Sequence, residues 1–312
     1  MDKEINNRRR GALIGLAIGD ALGAAVEFRA RGSFAPVTAY RAGGPHRLAA
    51  GQWTDDTSMA LALADSIGKA GWDLKDQLDR YVDWWRNGNY SVTGRCFDIG
   101  TTTCRALNEY RRCHDPLRAG DPSPQASGNG SIMRLAPVPI RFYDLYPDNI
   151  PELSRLAEES SLTTHASDSC RSACRYLALV LAALLNGEEK PLVPDPEWEA
   201  LNVLKGVKPL DRNVEIISAG HYKGKQPARI KGSGWVVESL EAALWAFNRA
   251  SSFRDAVLEA VNLGDDADTT GAVCGQLAGA YWGESNIPTD LLDGLDRKDM
   301  IEEALESLGA AL

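Results

Sequence analysis

The sequence has few histidines, no excess of basic residues and no long apolar run. Its 312 residues include 4 histidines, 34 lysines and arginines, and 43 aspartates and glutamates, for a formal net charge of −9. Nucleic-acid binding favours a basic face, so we expect no nucleic-acid partner. No apolar stretch approaches the roughly 20 residues of a membrane-spanning helix, so we also expect no membrane association.

Cysteine is sparse, and its spacing gives no sign of a zinc ribbon. The one close pair among the six cysteines, Cys170 and Cys174, is one helical turn apart. We interpret all six as reduced thiols of a cytoplasmic protein. Hydrophobic residues make up 44% of the chain and charged residues 25%, a balance typical of a globular protein. A chain of this length buries enough surface to fold without disulfides.

The first thirty residues resemble a signal peptide only in part. An arginine run at residues 8–10 precedes an apolar stretch, as in a secretory leader. Asp20 interrupts that stretch, and the helical pattern continues through Ala24, Ala25 and Phe28. We therefore predict that this segment is a helix of the folded protein.

Helical periodicity elsewhere predicts an all-α fold. Apolar residues recur at i, i+3, i+4, i+7 and i+8 from Phe253 to Val261. Residues 168–185 predict a long buried helix ending at Gly187, and residues 235–247 predict another, opened by Ser233. No segment shows a convincing alternation typical of strands. Polar, proline-bearing stretches near 113–127 and 188–234 predict long surface loops, with or without short helices or a hairpin.

Glycine recurs every four residues in two series, which are Gly11, Gly15, Gly19 and Gly23, and Gly271, Gly275, Gly279 and Gly283. On a helix, each series forms a stripe without side chains, where another backbone can approach closely. Glycine inside a helix costs up to about 1 kcal/mol relative to alanine, so eight of them need a compensating reason. We predict that the two helices lie at the centre of the bundle, against each other.

Two segments place adjacent acids and hydroxyl residues immediately before an apolar helix, at residues 51–59 and 262–270. Helix capping explains one or two such residues, and either segment alone is more typical of a cap. If the two segments met, carboxylates 4 Å apart would repel by about 4 kcal/mol at an effective dielectric constant near 20. Neither segment contains lysine or arginine. Oxygen-only ligands suit Mg²⁺, Mn²⁺ or Ca²⁺, so a metal site is predicted on the condition that the segments converge.

These segments and four further motifs together resemble the ADP-ribosylglycohydrolases, and among them the dinitrogenase reductase-activating glycohydrolase group. The six motifs, in the order of that family, are residues 19–23 with Glu27, 53–57, 97–100, 128–134, 164–165 and 262–269. The resemblance extends over nearly the whole chain. It implies a compact orthogonal bundle of about a dozen helices, and we expect a single domain over residues 1–312 because the motifs lie on both sides of each long loop.

The resemblance also implies a site with two Mg²⁺ ions, or Mn²⁺ in their place. The implied metal ligands are Thr54, Asp55, Asp56, Asp266, Asp268 and Thr269, and the implied catalytic residues are Asp98, Glu27 and Asp56. The expected substrate-binding residues are Asp20, Gly100, Thr101, Asn129, Gly130, Ser131, Met133 and His165. Asp265 stays outside the ligand set because some relatives carry glycine there. The resemblance does not decide between Asp98 and Glu27 as the acid–base, and Asp20 could equally orient the ligands.

Without the resemblance, each of these residues has an ordinary structural explanation. Glu27 could be a solvated acid near a helix end, Asp98 a turn or cap residue, residues 127–131 a generic turn, and His165 a structural histidine. The chain has no Walker-type Gly-Lys-Ser sequence, which disfavours P-loop nucleotide chemistry. His46, His114 and His221 have no local pattern, and we assign them no role.

The implied activity is hydrolysis of the N-glycosidic bond between ADP-ribose and a protein arginine. The alternatives are hydrolysis of O-linked ADP-ribose, such as a serine adduct, and a non-catalytic ADP-ribose-binding protein of the same fold. A metal-dependent phosphohydrolase would instead cut the pyrophosphate and release AMP. The expected partner is an ADP-ribosylated protein, and the expected state is a monomer. Local spacing does not separate arginine from serine adducts.

Overall fold

The computed structural model describes residues 3–190, 195 and 197–310, and all regular structure in these ranges is helical. The described residues form isolated β-bridges but no strand, so the all-α prediction is confirmed. Their α-helices are α1 Lys3–Gly23, α2 Asp55–Ala70, α3 Leu74–Asn87, α4 Thr101–Cys113, α5 Pro137–Arg141, α6 Ile150–Leu162, α7 Asp168–Leu185, α8 Glu199–Val207, α9 Arg212–Ser218, α10 Val236–Arg249, α11 Phe253–Val261, α12 Ala267–Trp282, α13 Thr289–Gly294 and α14 Lys298–Ser307.

The contact between α1 and α12 lies at the centre of the fold, and the two glycine stripes make it possible. A Cβ atom added to Gly11 would lie 2.4 Å from the carbonyl oxygen of Gly279, and one added to Gly19 would lie 2.0 Å from that of Gly271. Residue numbers rise along one helix as they fall along the other, so the helices run antiparallel with their backbones in contact. The predicted packing is confirmed for seven of the eight glycines. Gly283 instead follows the end of α12 with φ 75°, and a Cβ atom there would meet the side chain of Asn7.

This packing also brings the two acidic segments together. A Cβ atom on Gly23 would lie 2.4 Å from the backbone nitrogen of Asp268, so α1 ends beside the first turn of α12. Glu27 follows four residues beyond that contact. Helix α2 starts at the same place, because Asp20 of α1 accepts hydrogen bonds from the backbone N–H groups of Thr54 (2.9 Å) and Thr57 (3.0 Å).

The helices around this pair follow the sequence pattern closely. Helix α7 has the predicted bounds, is capped by the Ser167 hydroxyl and is almost entirely buried. The apolar positions predicted for α11 are all buried. Helix α10 begins at Val236 rather than Trp235, because Trp235 is still extended with φ −79° and ψ 125°.

The two proline-bearing stretches contain short helices separated by irregular segments. The first includes two 3₁₀ turns, Pro116–Arg118 and Pro124–Ala126, and the second includes α8 and α9. The part of the loop prediction that concerns residues 191–194 and 196 lies outside the described residues. All six cysteines are free thiols. None of the described helices combines the length and apolarity needed to cross a bilayer.

Candidate active site

A cavity of about 360 Å³ opens where the ends of α1, α2, α4 and α12 converge. Its volume lies within the range of roughly 300–1,000 Å³ that is typical of small-molecule sites. No lysine or arginine lines it among the described residues. The lining residues are Glu27, Phe28, Asp55, Asp98, Gly100, Thr101, Thr102, Thr103, Gly128, Asn129, Gly130, Met133, His165, Gly234, Asp265, Asp266, Asp268 and Thr269.

The hydroxyl of Thr54 lies among three carboxylates beside the cavity. Its Oγ1 is 2.9 Å from Oδ1 of Asp20, 3.1 Å from Oδ2 of Asp56 and 3.4 Å from Oδ2 of Asp268. One hydroxyl has one proton and can satisfy one of these oxygens at a time. The acids from opposite ends of the chain therefore meet with fewer donors than acceptors.

Helix capping does not explain the two acidic segments. Thr54 is the N-cap residue of α2 and Asp266 is the N-cap residue of α12, yet neither side chain makes a capping hydrogen bond. Their oxygen atoms are directed elsewhere, although acids near a helix N-terminus still gain from the helix dipole. The condition set by the sequence for a metal site, that the two segments meet, is fulfilled.

The carboxylates at this junction are buried, and two of their oxygens lack a hydrogen-bond partner. Oδ1 of Asp56 and Oδ1 of Asp268 are fully buried without a hydrogen-bond partner. Burial, followed by repulsion between neighbouring carboxylates, raises the pKa of Asp55, Asp56 and Asp268 well above the usual range. Buried, unpaired acids are costly unless a cation or proton neutralises them. The donor set therefore fits a hard divalent cation.

The acids form two groups, and within each group one oxygen per residue lies within 4.8 Å of the others. Asp20, Asp56 and Asp268 form the first, and Glu27, Asp266 and Asp268 form the second. Asp268 belongs to both groups, which suits two neighbouring cations with a shared ligand. Asp55 belongs to neither group, although it lines the cavity. Thr269 contacts Asp56, with its Oγ1 3.5 Å from Oδ2.

Glu27 and Asp98 face each other at the cavity wall, and His46 lies between them. Nε2 of His46 is 3.1 Å from Oε2 of Glu27 and 3.2 Å from Oδ2 of Asp98. Burial, and after it the charge of Asp98, raises the pKa of Glu27 to about 9. The sequence around His46 gives no sign of this position, because its partners are 19 and 52 residues away and only the preceding Gly43-Gly44-Pro45 marks a turn.

The opposite wall is the glycine-bearing loop before Met133. Asn129 anchors it, because its Nδ2 donates to Oδ2 of Asp266 at 2.6 Å and its backbone N–H donates to the carbonyl of Gly234 at 3.1 Å. Glycine is required at position 130, where a Cβ atom would lie 2.6 Å from Cε1 of His165. The loop therefore holds both an acidic residue and the histidine ring at fixed distances from the cavity.

A buried arginine sets the state of His165. Arg134 donates to Oγ1 of Thr164 at 2.7 Å, and Oγ1 of Thr164 is 2.8 Å from Nδ1 of His165. Burial, with a smaller contribution from Arg134, lowers the pKa of His165 to about 3. The imidazole is thus neutral near pH 7. Because the Thr164 hydroxyl already accepts from Arg134, the arrangement favours a proton on Nε2, the nitrogen nearer the glycine loop.

The remaining predicted site residues divide between the cavity surface and the layer behind it. Gly100, at the N-cap of α4, and Thr101 line the cavity, as do Asn129, Gly130, Met133 and His165. Asp20 and Ser131 are buried and do not line it. Asp20 accepts hydrogen bonds from Thr54 and Thr57 at the start of α2, and its role in substrate binding or ligand orientation stays a prediction.

A helical bundle that directs acids from both chain ends into one cavity defines an all-α enzyme with a carboxylate-based site. Residues 1–312 match the family model of the ADP-ribosylglycohydrolases, and the chain belongs to this family. It is 40% identical over 308 residues to "ADP-ribosylarginine hydrolase Tri1" of Serratia proteamaculans (strain 568), covering 98% of this chain and 80% of that protein. It is 30% identical to the "ADP-ribosyl-[dinitrogen reductase] glycohydrolase" of Rhodospirillum rubrum, covering 94% of this chain and 92% of that one. A solved "ADP-ribosylglycohydrolase-related protein complex" superposes with a TM-score of 0.84 at 40% identity, over 99% of this chain and 100% of the other.

Proposed function

We propose that this enzyme hydrolyses the N-glycosidic bond between ADP-ribose and a protein arginine, and that divalent cations bound at the two acidic turns are required. The observation that carries the proposal is that residues 54–56 and 266–269 meet beside one cavity, where Thr54 contacts Asp268 and Thr269 contacts Asp56. No lysine or arginine is among the described residues that line this cavity. The arginine linkage is supported by two relatives of 40% and 41% identity that are named ADP-ribosylarginine hydrolases.

The proposed cations are two Mg²⁺, or Mn²⁺ in their place. Their proposed ligands are Thr54, Asp55, Asp56, Asp266, Asp268 and Thr269. Hard oxygen donors without histidine or cysteine favour these ions over zinc. The buried oxygens without hydrogen-bond partners on Asp56 and Asp268 support the proposal, because bound cations would supply the positive charge that these oxygens lack. When bound, such ions supply positive charge that orients the ribose hydroxyls and makes a nearby water more acidic.

Side chains of the protein would transfer the proton between the attacking water and the leaving guanidine. Cleavage at C1 of the distal ribose passes through an oxocarbenium-like state, as in glycosidases. Water adds its oxygen to C1, and its proton must reach the nitrogen of the departing guanidine. Glu27 and Asp98 face each other at the cavity wall and are the pair we propose to accept and deliver that proton. Asp56 would contribute to catalysis as one of the proposed cation ligands.

The glycine-bearing wall and the start of α4 are the proposed ADP-ribose contacts. Gly100 and Thr101 present the first N–H groups of α4, which has no side-chain cap, to the cavity. A helix N-terminus of this kind favours a phosphate group. The same cavity is lined by Asn129, Gly130, Met133 and His165. Nε2–H of a neutral His165 can donate a hydrogen bond to an oxygen of the substrate. In this proposal, Asp20 and Ser131 support the wall from behind.

The direct test is incubation of an arginine-ADP-ribosylated protein with the enzyme, with and without Mg²⁺, and chromatographic detection of free ADP-ribose. We expect release that requires the cation and is lost in Asp56→Asn and Asp268→Asn. Asp265→Asn is the matched control, because Asp265 lies in the same turn but outside the proposed ligand set. AMP as the product would indicate pyrophosphate cleavage, and release from serine-linked substrate alone would refute the arginine linkage.

Tight ADP-ribose binding without turnover on either substrate would support the non-catalytic alternative. We further propose that the protein acts as a monomeric, single-domain enzyme of the cytoplasm on an ADP-ribosylated protein.

A further inference from the structure

His46 lies in a turn that is held against the end of α1. Gly43 and Leu48 close this turn with a pair of backbone hydrogen bonds of 2.8 and 3.0 Å. Gly44 has a positive φ of 71°, and a Cβ atom there would lie 2.3 Å from the carbonyl oxygen of Ala24. Because backbone contacts backbone at Gly44, the turn has a fixed position relative to the segment that carries Glu27.

The imidazole joins two carboxylates that come from separate parts of the chain. Its Nε2 is within 3.2 Å of both Glu27 and Asp98, and its ring packs on Phe97 at a centroid distance of 5.3 Å. Asp98 precedes α4 in a segment without regular secondary structure. Among the hydrogen bonds and ion pairs of the described residues, His46 is the single partner of the Asp98 carboxylate.

Two acids at this distance tend to turn away from each other unless a donor lies between them. The Glu27 side chain is 4% exposed and the Asp98 side chain is 19% exposed, so water is more accessible to the carboxylate of Asp98. We propose that His46 is a positioning residue that holds Asp98 and Glu27 at one spacing, because its Nε2 hydrogen bonds Oε2 of Glu27 and lies in ion-pair contact, at 3.2 Å, with Oδ2 of Asp98. Its catalytic consequence rests on the proposed function, because the two acids are the proposed proton-transfer pair.

A pair of substitutions separates the hydrogen bond from the packing. His46→Phe keeps an aromatic ring against Phe97 and removes the donor, whereas His46→Gln keeps a donor and removes the ring. Acid–base groups contribute about 10²–10⁴-fold to rates, so loss of their alignment should lower kcat by about tenfold or more in His46→Phe. KM for the ADP-ribosylated substrate and the affinity for ADP-ribose should stay within about threefold, and His46→Gln should keep roughly a third or more of kcat.

The exposed His221, replaced by Gln, is the matched control and should behave as the wild type. An unchanged kcat in His46→Phe would overturn the proposal. Equal losses of kcat in both His46 variants, or a loss expressed in KM alone, would also overturn it. Thermal unfolding of each variant establishes that the compared proteins are folded.

Nitrogen NMR of the imidazole rings tests the bridge without reference to activity. Only four histidines are present, and His46→Gln identifies the signal. Asp98→Asn should shift the His46 ring nitrogens, whereas Asp65→Asn should not, because the Asp65 carboxylate pairs with Lys69 and Arg80. An unshifted His46 signal in Asp98→Asn overturns the bridge. If Asp98→Asn shifts the His46 signal but the wild type releases no ADP-ribose, the contact between His46 and Asp98 is supported and only the proposed function is refuted.

Discussion

Replacing Gly19 with alanine should separate the two central helices. The new Cβ atom would lie 2.0 Å from the carbonyl oxygen of Gly271, while ordinary contacts begin near 3.4 Å, so α1 and α12 must move apart by about 1.4 Å. Even a gap of about 0.5–1 Å forfeits about a quarter to a half of the dispersion energy along the contact, and overpacking costs about 1–3 kcal/mol. Backbone atoms cannot rotate away as side chains do, so we place the cost near the upper end of that range.

The gain in helix propensity, at most about 1 kcal/mol, offsets only part of this cost. We expect the free energy of unfolding to fall by about 2 kcal/mol, which corresponds to a fall in Tm of roughly 3 °C for a chain of 312 residues. Differential scanning calorimetry or urea unfolding measures both quantities. Activity should fall as well, because α1 carries Asp20 and α12 carries Asp268.

Gly206→Ala is the matched control for this substitution. Gly206 lies in α8, and a Cβ atom there would meet nothing within 4 Å. The control should therefore gain about 0.4–1 kcal/mol of stability. A Gly19→Ala protein as stable as the wild type would refute the close packing of the two glycine stripes.

Three further substitutions test the residues in and behind the walls of the cavity. Because burial lowers the pKa of His165 from 6.5 to about 3, the unfolded state binds a proton below pH 6.5 that the folded state does not. The free energy of unfolding should therefore fall by roughly 3 kcal/mol between pH 6.5 and pH 4, and urea unfolding of His165→Gln should not show this loss. Parallel pH curves for the two proteins would contradict this. Asp98→Asn should lower kcat by about 10²–10⁴-fold while ADP-ribose affinity in calorimetry changes by less than about threefold, and a loss of affinity alone would argue against a role in proton transfer. Arg134→Lys should lower the free energy of unfolding by about 3 kcal/mol, because lysine has too few donors to replace those of arginine. Arg134 donates to Gly130, Ser160, Thr163 and Thr164. An unchanged free energy of unfolding in urea would contradict the importance of this network.

The parts of the fold that the sequence predicts are those governed by local periodicity. The apolar pattern of α11 and the serine cap and apolar C-terminal half of α7 predicted the bounds correctly, because each helix buries the face that its own sequence marks. The glycine spacing predicted the long-range contact between α1 and α12, because it too is a local pattern that marks one face of each helix. Eight costly glycines at four-residue intervals have few explanations other than direct backbone packing.

The parts that the sequence did not predict depend on contacts between distant loops. Residues 24–54 and 88–100 contain little regular structure, so no periodicity indicates where they lie. His46 has its place because Gly44 packs on Ala24, a contact that no local pattern encodes. The start of α10 was predicted one residue early, because an apolar tryptophan extends the helical pattern while its backbone remains extended.

Binding of Mn²⁺ to the metal-free enzyme, followed by electron paramagnetic resonance, tests whether the two acidic turns bind divalent cations. We expect saturable binding near two equivalents. Changes in the shell around a metal site cost about 10–100-fold in affinity, so removal of a ligand in Asp268→Asn should cost more than about 100-fold, while Asp265→Asn should bind as the wild type does. Absence of binding to the wild type, or equal binding by wild type and Asp268→Asn, would contradict it.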